Sequence, residues 1–380
     1  MTDTPVKPRL LILSFSRIVS DARLLKQVAV FRDDYVVTTC GYGPAPDGVS
    51  DHVEIPSDLE VWRYPRLLVM LRQYRRAYWS NAAIMATARA LRGRSFDVVL
   101  ADDVDTVGLA LSLRPRAGVH ADLHEYAPRM REDLLRVRVF MHPFIDWMCR
   151  TFVARAQSWT TVGEGIAREY HRRFGFESAV VTNAAPFVDA RPSPVHEPIR
   201  LVHSGAAQEN RGIEEIIEAV GLTRADVTLD LFLMEQSTAF LSHLREMAAR
   251  MPDRVRLCDP VPYARLARTL QAYDIGIHVI PPKSFNHRWA LPNKLFDFVQ
   301  ARLGAIVGPS PEMAAYVERY GIGAVTPGFT ARDIARTLDE ITPNDVAVWK
   351  NESHEHAYEL SSEQQVTVWK AAVDRLVASE

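Results

Sequence analysis

The sequence predicts an α/β protein made of two parallel-sheet domains of similar size. Three observations carry that expectation. Short apolar runs alternate with amphipathic stretches along most of the chain. The alternation stops once, at a proline-rich stretch near the middle, and then restarts. A length of 380 residues favours two domains over one. Strands separated by helical segments argue for a parallel sheet covered on both faces.

In chain order, Arg9 to Ser14 (RLLILS) reads as a buried strand and Asp21 to Phe31 as a helix. Tyr35 to Thr39 is the next strand. Phe96 to Ala101 follows, with a helix through Val107 to Leu113. Val119 to Leu123 and Trp159 to Val162 complete the first set. The stretch from Ala184 to Pro198 carries four prolines and neither a helical nor a strand period, so it reads as a linker. Beyond it, Ile199 to His203, Val227 to Met234, Val255 to Cys258, Ile275 to Ile280 and Ala305 to Val307 read as strands. Helices fall between them, including Ile213 to Ala219 and Tyr263 to Ala272. A last helix, about Glu363 to Ala378, lines up Val366, Trp369, Val373, Leu376 and Val377 on one side, a stripe that has to be buried.

Composition narrows the function classes. Hydrophobic residues make up 47% and charged residues 24%, which excludes disorder, collagen and a disulfide-stapled scaffold. A net charge of -2, from 45 basic and 47 acidic residues, excludes a uniformly basic nucleic-acid binder. Cys40, Cys149 and Cys258 show no metal or redox spacing and suggest a reducing compartment. Met1 to Arg9 is polar, and the apolar run Leu10 to Leu13 is too short for a signal-peptide core or a span. A cytoplasmic protein is expected. In such sheets ligands bind beyond the carboxyl ends of the strands, and with two domains the cleft between them is the expected site.

Four segments could carry chemistry. The first is the strand-to-helix loop from His203-Ser204-Gly205 to Asn210-Arg211-Gly212. Gly205 permits close backbone approach, the following helix offers free N–H groups, and Arg211 adds a fixed positive charge, which together suit a diphosphate. A plain turn with a surface arginine is the other reading. The second is Leu291-Pro292-Asn293-Lys294-Leu295-Phe296-Asp297. Pro292 marks the first turn of a helix on which Lys294 and Asp297 share a face. A lysine at a positive helix end is relieved by an anion; the alternative is an ordinary exposed ion pair. The third is Asp122-Leu123-His124-Glu125-Tyr126 at a strand end, an acid/base or sugar-hydroxyl group, or else a helix cap at Asp122 with exposed neighbours. The fourth is Val61 to Arg94, with eight arginines, no acidic residue and interleaved aromatics. It suits an anionic membrane or an anionic acceptor, or is a surface helix with solvated arginines. Walker, zinc, G-x-S-x-G and G-x-G-x-x-G signatures are lacking in the sequence.

Taken together these residues resemble the GT-B glycosyltransferases, and within them glycosyltransferase family 4. Ser20-Asp21-Ala22-Arg23 resembles the family's opening "D-x-R" segment, and Asp122 to Tyr126 its "D-x-H-E" segment. Thr161 to Ala167 and Val181-Thr182-Asn183 are similar to two further segments. Ser204 to Gly212 resembles the glycine loop ending in a basic residue and glycine, and Leu291 to Phe298 (LPNKLFDF) the "P-n-K-l-f-E-y" stretch. The order and spacing hold over some 300 residues. The resemblance implies two Rossmann-like domains facing each other across a cleft. The acceptor-side domain would be 1–186, with 364–380 packing back on it; the linker 187–198; and the donor domain 199–363. Gly205, Arg211, Asn293, Lys294 and Asp297 would hold a nucleotide-diphosphate sugar, Arg211 and Lys294 at the diphosphate and Asp297 at the ribose. His124 would approach the donor sugar and, with Arg211 and Lys294, form the catalytic set.

The implied reaction is sugar transfer to a hydroxyl acceptor, with retention and without metal or other cofactor. The implied setting is cytoplasmic, with 61–94 touching the inner membrane face. Two departures from the family pattern stand out: Trp289 occupies the place of its first glutamate, and the loop Phe15 to Asp21 has no glycine. A nucleotide-sugar epimerase of the same architecture and a non-catalytic sugar-nucleotide-binding homologue are the rival readings.

Overall fold

The computed structural model describes residues 6–379; the first five residues of the polar N-terminal stretch and Glu380 lie outside the described residues. The chain forms two compact units. One comprises the described residues up to Thr182, Ser284–Asn286 and the chain from Val366 on; the other comprises Asn183–Lys283 and His287–Gln365.

The first unit is built on seven strands: β1 (Arg9–Arg17), β2 (Val36–Tyr42), β3 (Asp51–Ile55), β4 (Val98–Asp102), β5 (Gly118–Leu123), β6 (Ser158–Thr161) and β7 (Ala179–Val180). Their order is β3-β2-β1-β4-β5-β6-β7 and every pairing is parallel. Leu10 to Leu13 sit in register between Val37 to Cys40 and Val98 to Ala101, with side chains covered on both faces. That double burial is why the strand reads as an unbroken apolar run. The helices are α1 (Ala22–Phe31), α2 (Arg66–Met70), α3 (Tyr74–Trp79), α4 (Ala82–Ala90), α5 (Val104–Ser112), α6 (His142–Thr151) and α7 (Glu164–Phe174). Asp21 caps α1, accepting from the Arg23 and Leu24 N–H groups at 3.0 and 3.3 Å. The C-terminal helix, Ser362–Ala378, buries Trp369 and Val373 in this unit's core, with Val366, Leu376 and Val377 packed at its edge. The expected apolar stripe is therefore the one that is covered.

The second unit repeats the plan with β8 (Ile199–Ala207), β9 (Val227–Glu235), β10 (Val255–Cys258), β11 (Ile275–His278), β12 (Gly304–Val307) and β13 (Gly323–Val325). The order is β10-β9-β8-β11-β12-β13, again all parallel. Its helices are α8 (Ile213–Leu222), α9 (Thr238–Ala248), α10 (Tyr263–Leu270), the short α11 (Phe285–Arg288, whose first two residues count with the first unit), α12 (Asn293–Gln300), α13 (Pro311–Tyr320), α14 (Ala331–Glu340) and α15 (Pro343–Glu355). Alternate residues of β8 feed opposite faces: Leu201 joins the core under α8, α9 and α14, and Val202 the core under α12 and α13.

In both sheets the winding reverses beside the first strand, between β1 and β4 and between β8 and β11. Crevices beyond the carboxyl ends of those strands are where open α/β sheets take ligands. The stretch 187–198 carries no helix or strand and lies along the second unit. Gln300 accepts from the Val188 N–H at 3.0 Å, and Arg302 donates to the Val188 carbonyl at 2.6 Å.

Two sequence expectations need correction here. β8 runs on to Ala207 because its pairing with β9 continues to Glu235, so His203, Ser204 and Gly205 belong to the strand and the loop starts after them. Pro292 precedes the first helical residue, Asn293, instead of occupying the first turn. Its φ of -75° and ψ of 152° are extended, as suits a residue at a helix boundary.

Candidate functional site

The second unit's switch point gathers most of the residues singled out in the sequence. Gly205, near the end of β8, has φ +144°. A Cβ there would lie 2.6 Å from Lys294 Cε and 2.7 Å from Nζ, so the lysine side chain lies across the bare glycine backbone. Only a glycine accepts both that φ and that contact. Gly212 precedes α8 with φ +74°, and a Cβ there would meet the Val279 carbonyl oxygen at 1.9 Å. This close approach draws the start of α8 against the end of β11. The loop between is steadied by Gln208, which accepts from Arg211 Nε at 3.2 Å, and by Lys283, which donates to Asn210.

Lys294 is half-buried at the start of α12. Burial lowers its pKa, the positive charge of Arg211 lowers it further, and Asp297 works in the other direction. Two cations that repel each other across the end of a buried strand form a site short of negative charge. Beneath them His203 and His278 stack, ring centres 5.6 Å apart. Burial and then Lys294 push His203 down to about 4. Burial, Lys294, His203 and Arg211 hold His278 well below its ordinary value. Both rings are thus neutral near pH 7. The His203 Nδ1–H is assigned as donor to the Ile277 carbonyl at 2.8 Å, while His278 Nδ1 is buried without a hydrogen-bond partner.

A cavity of about 370 Å³ opens beside Lys294. Ser204, Gly205, Asn293, Lys294 and Asp297 form its polar wall; Phe232, Met234, Val261 and Leu266 form an apolar one. Asp297 is 6% exposed and its Oδ1 accepts from the Tyr263 hydroxyl at 3.3 Å. The ordinary exposed lysine–aspartate pair is therefore not what the structure contains. Gly205, Lys294 and Asp297 line this one cavity with Asn293 at its exposed lip, while Arg211 lies outside the lining and acts on Lys294 through its charge. The cavity offers one cation, Lys294, a carboxylate acceptor, Asp297, and an apolar wall beside them. Trp289 is half-buried in the same unit, with the Arg288 guanidinium 5.8 Å from its ring centre.

In the first unit the corresponding strand ends hold a buried charge cluster. Asp122, near the end of β5, is 0% exposed and is gripped by Arg23 through two hydrogen bonds of 2.7 Å. It is not a helix cap. Gln27 donates to both Asp102 and Asp122, at 2.8 and 2.9 Å, and Thr160 donates to Asp122 at 2.7 Å. The Arg23 guanidinium also donates to the Val181 carbonyl at 2.9 Å and lies 4.6 Å from the ring centre of Trp369. Burial alone would raise the Asp122 pKa, but Arg23 and His124 hold it well below the carboxylate range.

His124 sits among three aspartates. Its Nε2 is 3.2 Å from Asp102 and 3.5 Å from Asp122, its Nδ1 is 3.3 Å from Asp103, and its backbone N–H donates to Asp103 at 3.0 Å. Burial disfavours its charge, but Asp103, Asp102 and Asp122 raise its pKa well above the ordinary value. With both nitrogens facing carboxylates the ring favours its protonated form, and neither nitrogen is free to accept a further proton. Atoms of Asp102, Asp122 and His124 lie within 4.8 Å of one another, the spacing of a metal triad. Arg23, however, already donates to both Asp122 oxygens, and its charge would repel a cation there.

Sequence reading found His124 and Arg23 separately, as parts of two motifs. It missed Asp102 and Asp103 at the end of β4, Gln27, and Tyr263. Asp103 carries the one local signal, a polar pair closing an apolar strand; its φ of +65° turns the chain so that its carboxylate reaches His124.

No protein-family model matches the chain, and a search among curated proteins finds no relative. Solved structures are similar to it. Sucrose-phosphate synthase from Thermosynechococcus elongatus aligns over 98% of this chain and all of its own, with TM-score 0.71 and 12% identity. A glycosyltransferase from Rickettsia africae aligns over 98% of this chain and 100% of its own, with TM-score 0.73 and 9% identity. HepE from Anabaena, in complex with UDP and glucose, aligns over 97% and 99%, with TM-score 0.69 and 13% identity. At these identities the likeness is one of fold. The two parallel-sheet α/β units are those of the GT-B architecture that the sequence resembles.

Proposed function

We propose that the chain is a glycosyltransferase that moves a sugar from a nucleoside-diphosphate sugar to a hydroxyl acceptor, with retention and with no metal in the transfer step. The observation that carries this reading is the Lys294 side chain lying across Gly205 while Arg211 repels it. A diphosphate between these cations removes the repulsion and accepts from the N–H groups at the start of α8. Asp297 then takes ribose hydroxyls and the apolar wall takes a base. As the glycosidic bond breaks, negative charge grows on the diphosphate, where Arg211 and Lys294 stabilise it most. His124, with both nitrogens engaged, contributes a fixed positive charge and not a general base. The fold's likeness to HepE complexes with UDP and with UDP-glucose supports trying uridine nucleotides first.

The test is a thermal-shift and calorimetric panel of uridine, guanosine, thymidine and adenosine diphosphates and their sugars. One nucleotide should stabilise the protein in proportion to the logarithm of its concentration. Lys294→Ala should bind it roughly 10- to 100-fold more weakly, the loss expected for a hydrogen bond to a charged group, and lose turnover by about 10²-fold or more. Unchanged binding by Lys294→Ala, or no response to any nucleotide, refutes the reading. Binding without transfer to any hydroxyl or to water would mark a sugar-nucleotide-binding homologue.

A further inference from the structure

The arginine-rich segment of the first unit is not absorbed by the donor site. Its inward residues Tyr64, Val69, Ala77 and Tyr78 are buried and anchor α2 and α3. Tyr74 packs on Phe144 and Trp147 of α6, at 5.5 and 5.9 Å between ring centres. The segment is thus a fixed platform. Several large apolar residues face outward: Trp62 is 63% exposed, Leu67 67%, and Met70 and Leu71 more than half.

A second segment, distant in sequence, extends the same face. α2 packs against a π-helical turn, Val137–Met141, next to which Leu135 is 70% exposed; within the turn Val139 and Phe140 are also exposed. Cations are interleaved throughout. Among the described residues, Arg66, Arg72, Arg75, Arg136 and Arg138 are exposed and form no ion pair. Arg72, Arg75 and Arg76 rim an open hollow of about 510 Å³ floored by Tyr74 and Trp147. Of the bordering carboxylates, Glu60 and Glu132 are taken up by Arg63 and Arg129, and Asp133 is exposed. Large exposed apolar groups together with unpaired arginines match one surface better than a soluble polyanion: a bilayer with anionic headgroups over an apolar interior.

We propose that the face formed by α2, α3 and the turn Val137–Met141 docks on an anionic membrane. Trp62, Leu67, Met70 and Leu71 enter the headgroup layer, and Arg72, Arg75 and Arg76 hold lipid phosphates. The proposal is independent of the donor-site reading and fails or stands separately from it.

Co-sedimentation of the whole protein with phosphatidylcholine vesicles, with and without about one-third phosphatidylglycerol, tests it. The protein should pellet with the anionic vesicles only, and less as salt rises. Arg72→Gln/Arg75→Gln/Arg76→Gln should weaken binding by about 100-fold, each arginine contributing roughly fivefold at such a surface. The three Arg→Lys changes should keep it. Leu67→Ser/Leu71→Ser should weaken binding most at high salt, where charge is screened. Circular dichroism checks that the variants stay folded; a misfolded triple variant leaves the leucine pair and the lysine variant to decide. Wild-type protein remaining in the supernatant, or equal pelleting by the glutamine variant, overturns the proposal. So does full vesicle binding by the leucine variant together with equal retention on a soluble polyanion.

Discussion

Replacing Arg23 by Met leaves Asp122 charged, wholly buried and without its bidentate partner. Wild-type Asp122 is 0% exposed and Arg23 8%, so water screens little of the pair. Breaking a buried pair by removing one member costs about 3–5 kcal/mol. For a unit of this size each kcal/mol lowers Tm by roughly 2–4 °C, which gives a fall of about 6–20 °C. Tryptophan fluorescence is a direct monitor, because Trp369 lies 4.6 Å from the Arg23 guanidinium. Arg23→Met/Asp122→Asn removes both charges and should recover much of the loss. The pH dependence has a definite sign. In the wild type Asp122 is held below 3.8, so its contribution is full above that value and is lost as pH falls further. Without Arg23 only His124 opposes the effect of burial, so the Asp122 pKa rises relative to wild type and the variant takes up a proton more readily in the folded state. Its deficit against wild type should therefore shrink as pH falls from 7 towards 4. A loss under about 1 kcal/mol, or a double variant no better than the single one, would refute the reasoning behind that magnitude.

Two further outcomes follow from the second unit. Gly212→Ala forces a Cβ to within 1.9 Å of the Val279 carbonyl at a φ of +74°; it should cost at least about 2 kcal/mol and weaken nucleotide binding together, read by melting and calorimetry. His203, held at about 4 against an ordinary 6.5, binds no proton where the unfolded chain does. Stability should fall as pH drops from 6.5 to 4, by up to about 3 kcal/mol from this ring. His203→Asn, which keeps a donor for the Ile277 carbonyl, should lessen the fall of denaturation midpoints across that window without abolishing it, since His278 is depressed as well, and an unchanged slope would count against the neutral ring.

What was legible in the sequence was whatever has a local pattern. Leu10 to Leu13 and Val98 to Ala101 read as strands because each lies near the centre of its sheet with apolar side chains on both faces. The short strands β3, β7 and β13, each at a sheet edge, carry little such signal and were not foreseen. The start of β8 was legible but its end was not. Ser204 and Gly205 look like a loop, yet continued pairing with β9 outweighs the poor strand propensity of glycine. In the cavity beside Lys294, Lys294 and Asp297 were found by their shared helix face. Tyr263, 34 positions away, was not, because its approach to Asp297 depends on how α10 packs against α12. The pairing of Arg23 with Asp122 spans 99 positions and depends on strand order, which no window of sequence displays.

The C-terminal helix also dictates an order of events during synthesis. Trp369 and Val373 complete the core that Leu10, Ile12 and Leu24 begin. A ribosome releases those two residues only after the entire second unit has been made. The amino-terminal half must wait, its sheet incompletely roofed, while the other half matures ahead of it. Nascent chains halted shortly before residue 369 should be the species most in need of chaperone shelter.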